Sequence, residues 1–386
     1  MKRTPFYDNR GFSLVELIIV MAMFVIIIAV TGDTFSRIMS RSSTQSRSAA
    51  SNIEGIVGLE MMRKDLTSTG FGLPWSFSGT VTYSEVDPGE TLAATFNGAS
   101  NEVPVGVSGG NDVDPDNPNV LITGSDYLVV RATSLGTSTA AQRWSFMNYT
   151  GQTKPATMTP VSWTQENLNP DDWVVVLKVD LTGTFTKQLV TSGTAYSTQY
   201  GNLSTTTGFH PDESKVNHYI YGIGTTSPRM PFNRADYFVR IPAESEENRL
   251  PQRCAPNTGI LFKGLVNHSD GTLTQLPLLD CVADMQVVYI LSSPSSGQIT
   301  ETNSLIGLSG EDIREQLKTI QVYVLTHEGG RDPLYTYPNG TIAVGPTTDG
   351  LTSTLGRTFT IPSGGTNYRW KIYRMSVNPL NLGASF

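Results

Sequence analysis

The chain has few charged residues and no excess of basic ones. Asp, Glu, Lys and Arg make up 16% of its 386 residues, below the roughly 25% of ordinary soluble domains. The formal net charge is −7, whereas a general nucleic-acid surface requires a basic patch. One candidate cluster, Arg369, Lys371 and Arg374, is divided between two faces by strand alternation. We therefore expect no nucleic-acid partner and a composition suited to an exported protein.

Histidine is scarce, and the chain has no evident metal-ligand motif. The four histidines, His210, His218, His268 and His327, lack helical metal spacing. His327 is followed by a glutamate, but no second histidine completes a zinc-protease motif. We predict no metal centre and interpret the histidines as ordinary surface or turn residues.

Sequence motifs of catalytic sites are also missing, with one apparent exception. Gly106-Val107-Ser108-Gly109-Gly110 fits the nucleophile-elbow pattern. That elbow needs a strand before it and a helix after it, whereas residues 111–118 form a loop pattern. We expect no enzymatic activity and no cofactor.

The acidic segment that follows leaves two interpretations open. Asp112, Asp114 and Asp116 have the spacing that begins a calcium loop, but position six is Asn117 and position twelve is Thr123. A calcium loop needs glycine and glutamate there. A solvated acidic loop is therefore favoured over a calcium site.

Only one long apolar run is present, at residues 12–30. Nineteen residues are just enough to cross a bilayer core as a helix. The single strong polar interruption is Glu16, and an intramembrane carboxylate costs roughly 2.5–3.5 kcal/mol at mid-bilayer, so it usually has a partner. A free α-amine, cationic up to a pKa of about 8, is one such partner.

That amine would appear on cleavage between Gly11 and Phe12, which places Glu16 about one helical turn from the new terminus. A carboxylate there cannot easily reach its own helix's terminal nitrogen, but it can reach the terminus of an axially shifted neighbour. We interpret Glu16 as an assembly contact. A secretory signal peptide and a plain signal anchor are the alternatives. The first lacks a small-residue cleavage site after the run, and the second would not need Glu16.

The segment Arg10-Gly11-Phe12-Ser13-Leu14-Val15-Glu16-Leu17 resembles the class III signal of type IV prepilins and pseudopilins. The resemblance implies that a prepilin peptidase cuts after Gly11 and N-methylates Phe12. It further implies that Glu16 guides the subunit into a filament.

The chain divides into a leader, a stem and a head. Residues 1–11 form a leader whose Lys2, Arg3 and Arg10 should stay cytoplasmic. Residues 12–70 are predicted to be one long helix, with 12–30 spanning the membrane and glycine and proline stop signals at 67–74. Its second half is amphipathic and should pack on the head's own sheet, with Gly32, Gly55 and Gly58 as weak points.

The head, residues 71–386, has short segments rich in β-branched and aromatic residues. The fold class is therefore α+β: a long pilin helix, with a membrane-spanning first half, packed on a large, mainly antiparallel β head of one or two lobes. A short helix is predicted from Ser309 to Lys318 and a hairpin turn at 268–271. The tracts 80–119 and 182–214 are interpreted as surface loops or insertions. Strands are predicted at 127–132, 173–179, 237–241, 260–266, 282–291, 320–325 and 368–377.

The head also resembles PilW-type minor pilins in the order of four segments, 125–131, 278–289, 313–325 and 368–382. The resemblance implies a structural subunit that primes or caps a type IV pilus at or near its tip, a role linked to adhesion and twitching motility. Implied partners are the prepilin peptidase, other minor pilins, the major pilin and a large tip adhesin. The subunit would sit in the inner membrane with its head in the periplasm, then in a surface pilus. A J-type minor pseudopilin of type II secretion, and an anchored binding module or enzyme, are the alternatives.

Cys254 and Cys281 are the only two cysteines, and both lie in the head. If the stem delivers the head outside the cytoplasm, an even pair in an oxidising compartment is usually bonded. A disulfide is the first interpretation, and two buried free thiols are the alternative.

Overall fold

The computed structural model describes residues 13–113, 121–164, 167–180, 186–247, 249–347, 350 and 352–382, with the backbone alone over 36–38, 40–54 and 180. Four predicted functional residues, Gly11, Phe12, Asp114 and Asp116, lie outside these ranges.

A single helix of 55 residues, α1 (Leu14–Ser68), forms the stem. It begins at Ser13, whose side chain caps the first turn, and it ends at Thr69. Gly70 follows with φ +82°, a left-handed conformation that glycine adopts without steric cost. The predicted stop signal therefore ends the helix where the sequence placed it.

The rest of the described chain is mainly strand, which confirms the predicted α+β class. The two other α-helices are α2 (Thr91–Ala94) and α3 (Gly310–Gln316). The strands are β1 (Ser76–Phe77), β2 (Val107–Val113), β3 (Ser125–Ala132), β4 (Trp144–Met147), β5 (Trp173–Asp180), β6 (Thr186–Leu189), β7 (Ser197–Gln199), β8 (Asn217–Gly224), β9 (Asn233–Arg240), β10 (Gly259–Val266), β11 (Leu273–Ser292), β12 (Ile299–Thr302), β13 (Leu317–Glu328), β14 (Thr341–Val344), β15 (Arg357–Thr360) and β16 (Arg369–Val377).

These strands form three sheets. The large sheet has the order β16-β13-β11-β10-β9-β3-β2, with β12 added to β11. The second sheet has the order β1-β6-β5-β8-β4, with β7 added to β5, and β14 pairs with β15. Every pairing is antiparallel except that of β1 with β6.

Side-chain alternation along the strands assigns each sheet face to a different core. In β3, Leu128 and Val130 face the end of α1, while Tyr127 and Val129 face the second sheet. The opposite face of the second sheet covers its own apolar cluster, which includes Val176 of β5. The order of layers is therefore helix, large sheet, second sheet and outer segments, as expected when each apolar face must be covered.

The end of α1 packs on the large sheet, as its amphipathic pattern predicts, but the contact face differs in detail. Met62 and Leu66 are fully buried, whereas Ile56, which the periodicity placed on the apolar stripe, is exposed. Gly55 and Gly58 are buried instead. At both of these predicted weak points the helix lies close to β11, so that an added Cβ would meet Leu279 or the Leu278 carbonyl oxygen.

Two predicted loop tracts contain ordered structure. The tract 80–119 includes α2, β2 and the buried residue Glu85. The tract 182–214 includes β6 and β7. Glycine and polar residues obscured these short strands, which are held by pairing with β3 and β5. The predicted helix at Ser309 and the turn before Thr272 both occur.

Candidate functional site

The first turn of α1 places Glu16 in a local capping interaction. The backbone N–H of Ser13 donates to Glu16 Oε2 at 3.0 Å, and the backbone N–H of Glu16 donates to Ser13 Oγ at 3.2 Å. This reciprocal pair is a capping box, which satisfies two N–H groups that a helix start leaves open. Both side chains are exposed. In the isolated chain the carboxylate is therefore held by hydrogen bonds alone, with no cation beside it among the described residues.

The helix surface beyond Glu16 is apolar and uncovered. Within the described residues, the segment Leu14–Phe35 is the one helix long and apolar enough to cross a membrane, with a mean hydropathy of 2.9 and none of it buried by the head. Individual side chains, such as Ile28, are about two-thirds exposed. Such a surface needs lipid or neighbouring helices to cover it.

At the other end, charge and close contact hold α1 to the head. The Asp65 carboxylate pairs with the ammonium group of Lys263 in β10, and both side chains are at least nine-tenths buried. The Tyr237 hydroxyl of β9 donates to the same carboxylate at 2.5 Å. A Cβ atom on Gly58 would lie 2.1 Å from the Leu278 carbonyl oxygen. The helix end therefore has one fixed position on the sheet.

The two cysteines are joined. Cys254 and Cys281 form a disulfide with a Cα–Cα distance of 4.9 Å, tying the segment before β10 to β11. His327 of β13 lies beside it, and its Nε2 accepts from the Ala255 N–H at 2.8 Å. Burial lowers the pKa of His327 to about 4, so the ring is neutral near pH 7.

Burial of the histidines corrects the prediction that they are surface or turn residues. His210, His218 and His327 are each at most 4% exposed. His210 and His218 bond to the carbonyl oxygens of Leu203 and Phe209. Single-sequence patterns gave no signal for this, because the apolar cover comes from distant strands.

Two buried carboxylates that the sequence did not single out lie where β3 meets β11. Asp126 accepts from the backbone N–H groups of Asp112 and Val287, at 2.8 and 2.6 Å. Asp284 accepts from Gln286 Nε2 at 3.0 Å. Burial raises the pKa of each carboxyl to about 7. In the part of the acidic segment that the structure describes, Asp112 thus supports a strand contact, and its side chain is exposed.

A second unpredicted cluster crosses the interface between 80–119 and the large sheet. Arg131 and Arg234 both bond to Glu85 Oε2 at 2.8 Å, and Arg234 also pairs with Asp236 at 2.7 Å. Burial opposes ionisation of Glu85, but the two guanidinium groups hold its pKa below the usual value. Each charge has an opposite partner, as buried charges require. Arginines inside otherwise apolar strands were the available sequence signal.

The other candidate site residues from the sequence contact neighbouring side chains in the fold. Ser108 lies within β2, and its hydroxyl accepts from Arg131 Nη1 at 2.9 Å, so its surroundings are not a strand–turn–helix elbow. In β16, Arg369 pairs with Asp332 and Lys371 with Glu328. Arg374 lies over the Tyr323 ring at 5.4 Å. This strand therefore does not present a free basic patch.

Comparison with known proteins bears on the helix start. The family described as "Prokaryotic N-terminal methylation motif" matches residues 7–32. No curated protein and no solved structure matches the chain. The chain thus carries a type IV pilin-like prepilin signal, which implies processing by a prepilin peptidase and assembly with other pilins or pseudopilins. The motif and the apolar helix together fit anchoring in the inner membrane before assembly.

Proposed function

We propose that the chain is a PilW-type minor pilin, a non-enzymatic subunit that primes or caps a type IV pilus and lies at or near its tip. The observation that carries this proposal is the uncovered start of α1. It combines a processing motif with two features of the described residues, a carboxylate bound within its own first turn and an apolar surface that the head does not cover.

Assembly supplies what this segment lacks. A neighbouring pilin helix can cover the apolar side chains, and the free α-amine of a processed neighbour can pair with Glu16. Moving Glu16 from its capping position costs about 1 kcal/mol of local hydrogen bonding. A charge pair in low dielectric can offset that cost.

The size of the head supports a position near the tip. Its three sheets and the outer segments make a domain of over 300 residues. A domain of that bulk is hard to repeat along a thin helical filament, whereas a terminal position leaves it room. The proposed partners are other minor pilins, the major pilin and a tip adhesin, after an inner-membrane stage with the head in the periplasm.

The test deletes the chromosomal copy and restores the wild-type chain or a bulky Gly11→Trp variant from a plasmid. We expect wild-type protein with an N-methylated Phe12 terminus by mass spectrometry, restored pili, and immunogold label at filament ends. Gly11→Trp should stay unprocessed in the inner membrane and restore nothing. Label spread along the filaments, or full piliation in the deletion strain, would refute the minor-pilin role. Normal pili with a secretion defect would favour the pseudopilin alternative.

A further inference from the structure

Two tryptophan side chains form a half-exposed pair on the edge of the second sheet. Trp144 of β4 is 40% exposed and Trp163 is 39% exposed. Their ring centroids are 5.2 Å apart and their planes are tilted by 55°. Phe146 and Tyr219 lie behind them, with centroid distances of 6.0–6.1 Å to the pair. The four rings together form a tilted aromatic wall.

Polar atoms with unused hydrogen-bonding capacity border this wall. Together with Thr139, Gln142 and Arg143, the two indoles line an open cavity of about 470 Å³. Gln142 uses its Nε2 to donate to the carbonyl oxygens of Ser134 and Gly136, which leaves its Oε1 as an acceptor. Within the described residues, neither indole nitrogen donates a hydrogen bond, although such donors usually find partners when covered. The cavity therefore offers both donors and an acceptor beside aromatic faces.

The segment that carries Trp163 is held in place before any ligand binds. The Trp163 backbone N–H donates to Asn167 Oδ1 at 2.6 Å, and Asn167 Nδ2 donates to Ser162 Oγ at 3.0 Å. Arg143 Nη1 donates to the Asn167 carbonyl oxygen at 2.6 Å. A surface fixed in this way loses little conformational entropy on binding.

The adjacent sheet edge is already covered, which disfavours an added peptide strand. The Val161 N–H donates to the Phe146 carbonyl oxygen at 2.9 Å, and Ser145 Oγ donates to the Val161 carbonyl oxygen at 2.6 Å. A peptide that extends a sheet needs a free edge for its backbone bonds. The aromatic wall instead suits a ligand that stacks on rings and hydrogen-bonds at its rim.

We propose that this surface, defined by Gln142, Arg143, Trp144 and Trp163, binds an acidic oligosaccharide. The apolar C–H face of a pyranose ring can stack on an indole, while its hydroxyl groups reach the Gln142 oxygen and the indole N–H groups. Among the described residues that line the cavity, Arg143 is the one that carries a charge. A guanidinium group pairs well with a carboxylate, so a uronate sugar is favoured over a neutral one. This inference needs the head outside the cytoplasm but does not rest on a minor-pilin role.

The test uses the full chain in a zwitterionic detergent, because sugar-headed detergents could occupy the site. Hexameric oligogalacturonate is titrated while tryptophan emission is followed, and neutral cellohexaose is the comparison. Two of the five tryptophans lie in the site. We expect a saturable change in emission and an affinity for the uronate about tenfold or more above that for cellohexaose.

Five variants locate the binding. Trp144→Ala and Trp163→Ala should each weaken binding about tenfold, whereas Trp144→Phe should keep most of it. Arg143→Gln should remove the preference for the uronate. Trp75→Phe, which changes a tryptophan outside the site, should bind as the wild type does. Unchanged melting temperatures would show that the half-exposed rings are not needed for folding.

Three outcomes would overturn the proposal. The first is no saturable binding of the uronate, and the second is equal binding by the Trp144→Ala/Trp163→Ala double variant. The third is capture of another pilin subunit that is lost in the double variant while neither sugar binds, which would assign the surface to a protein contact. Equal affinity for both sugars in the wild type would refute the acidic preference.

Discussion

Asp65, near the end of the long helix, forms a buried ion pair with Lys263 in the large sheet. Tyr237 donates to the same carboxylate, so three elements, α1, β9 and β10, meet at one group. Exposed ion pairs contribute little, whereas a buried charge without its partner is strongly unfavourable. This pair therefore penalises any other placement of the helix end on the sheet.

Asp65→Asn should destabilise the head by about 3–5 kcal/mol, because it leaves the Lys263 charge buried without a partner. The amide oxygen can still accept from Tyr237, so the loss is chiefly electrostatic. Urea unfolding of the detergent-solubilised chain measures it. Asp65→Asn combined with Lys263→Met should recover much of the loss. Glu60→Gln, which breaks an exposed pair with Arg63 on the same helix, should change little. If the loss of unfolding free energy in the double variant equals the sum of the losses in Asp65→Asn and Lys263→Met alone, the coupling is refuted.

Gly58→Ala should also destabilise the head, by about 1–3 kcal/mol, although alanine is the better helix former. The added methyl would meet the Leu278 carbonyl oxygen, a backbone atom that cannot move cheaply. Gly32→Ala is the matched control, since nothing lies within 4 Å of its added Cβ. Limited proteolysis of α1 should speed up in the first variant alone. Identical cleavage rates for both variants would contradict a close contact at Gly58.

Glu16→Gln should permit membrane insertion and cleavage but reduce piliation and the recovery of other subunits. Glutamine can still complete the capping box with Ser13, so the substitution removes the charge and spares the local helix start. Ser13→Ala is the complementary control, since it loses about 1 kcal/mol of capping and keeps the charge. Pili are counted in cells that lack the wild-type copy. Normal piliation by Glu16→Gln would exclude the proposed contact.

Cys254 and Cys281 should be recovered as one linked peptide from exported protein under non-reducing digestion. Replacing both by serine should cost about 3 kcal/mol in the chain-entropy account of a closed loop, since the pair is 27 residues apart. Thermal melting of the wild type with and without reductant should show a loss in the same direction. Quantitative labelling of both thiols in exported protein would refute the bond.

Asp284→Asn should stabilise the head at pH 8 and have a smaller effect at pH 4. Burial raises the pKa of Asp284 from 3.8 to about 7. The native state therefore holds its proton more tightly than the unfolded state does, and stability falls as pH rises between about 4 and 7. His327, with its pKa lowered to about 4, contributes the opposite slope, so the difference between variant and wild type is the informative quantity. Asp171→Asn, which removes a carboxylate at an exposed position, is the comparison variant.

The sequence alone determined the signal, the span of the helix, seven of the sixteen described strands and the start of the short helix at Ser309. Each depends on neighbours within a few residues. A 19-residue apolar run is by itself long enough to cross a bilayer core as a helix. Ser13 and Glu16 are close enough in the chain to cap one another in any helix that starts there. Tracts such as 80–119 were misjudged because glycine-containing strands like β2 need a partner strand to be recognised.

Tertiary structure decided everything that joins distant segments. Gly55 and Gly58 became contact points only once β11 lay against them, and Glu85 became buried only when Arg131 and Arg234 came from two other strands. The Trp144 and Trp163 pair likewise depends on the covered edge of β4. The physical reason is that burial, charge pairing and pKa depend on which groups share a volume, and the pairing of strands far apart in the chain sets that volume.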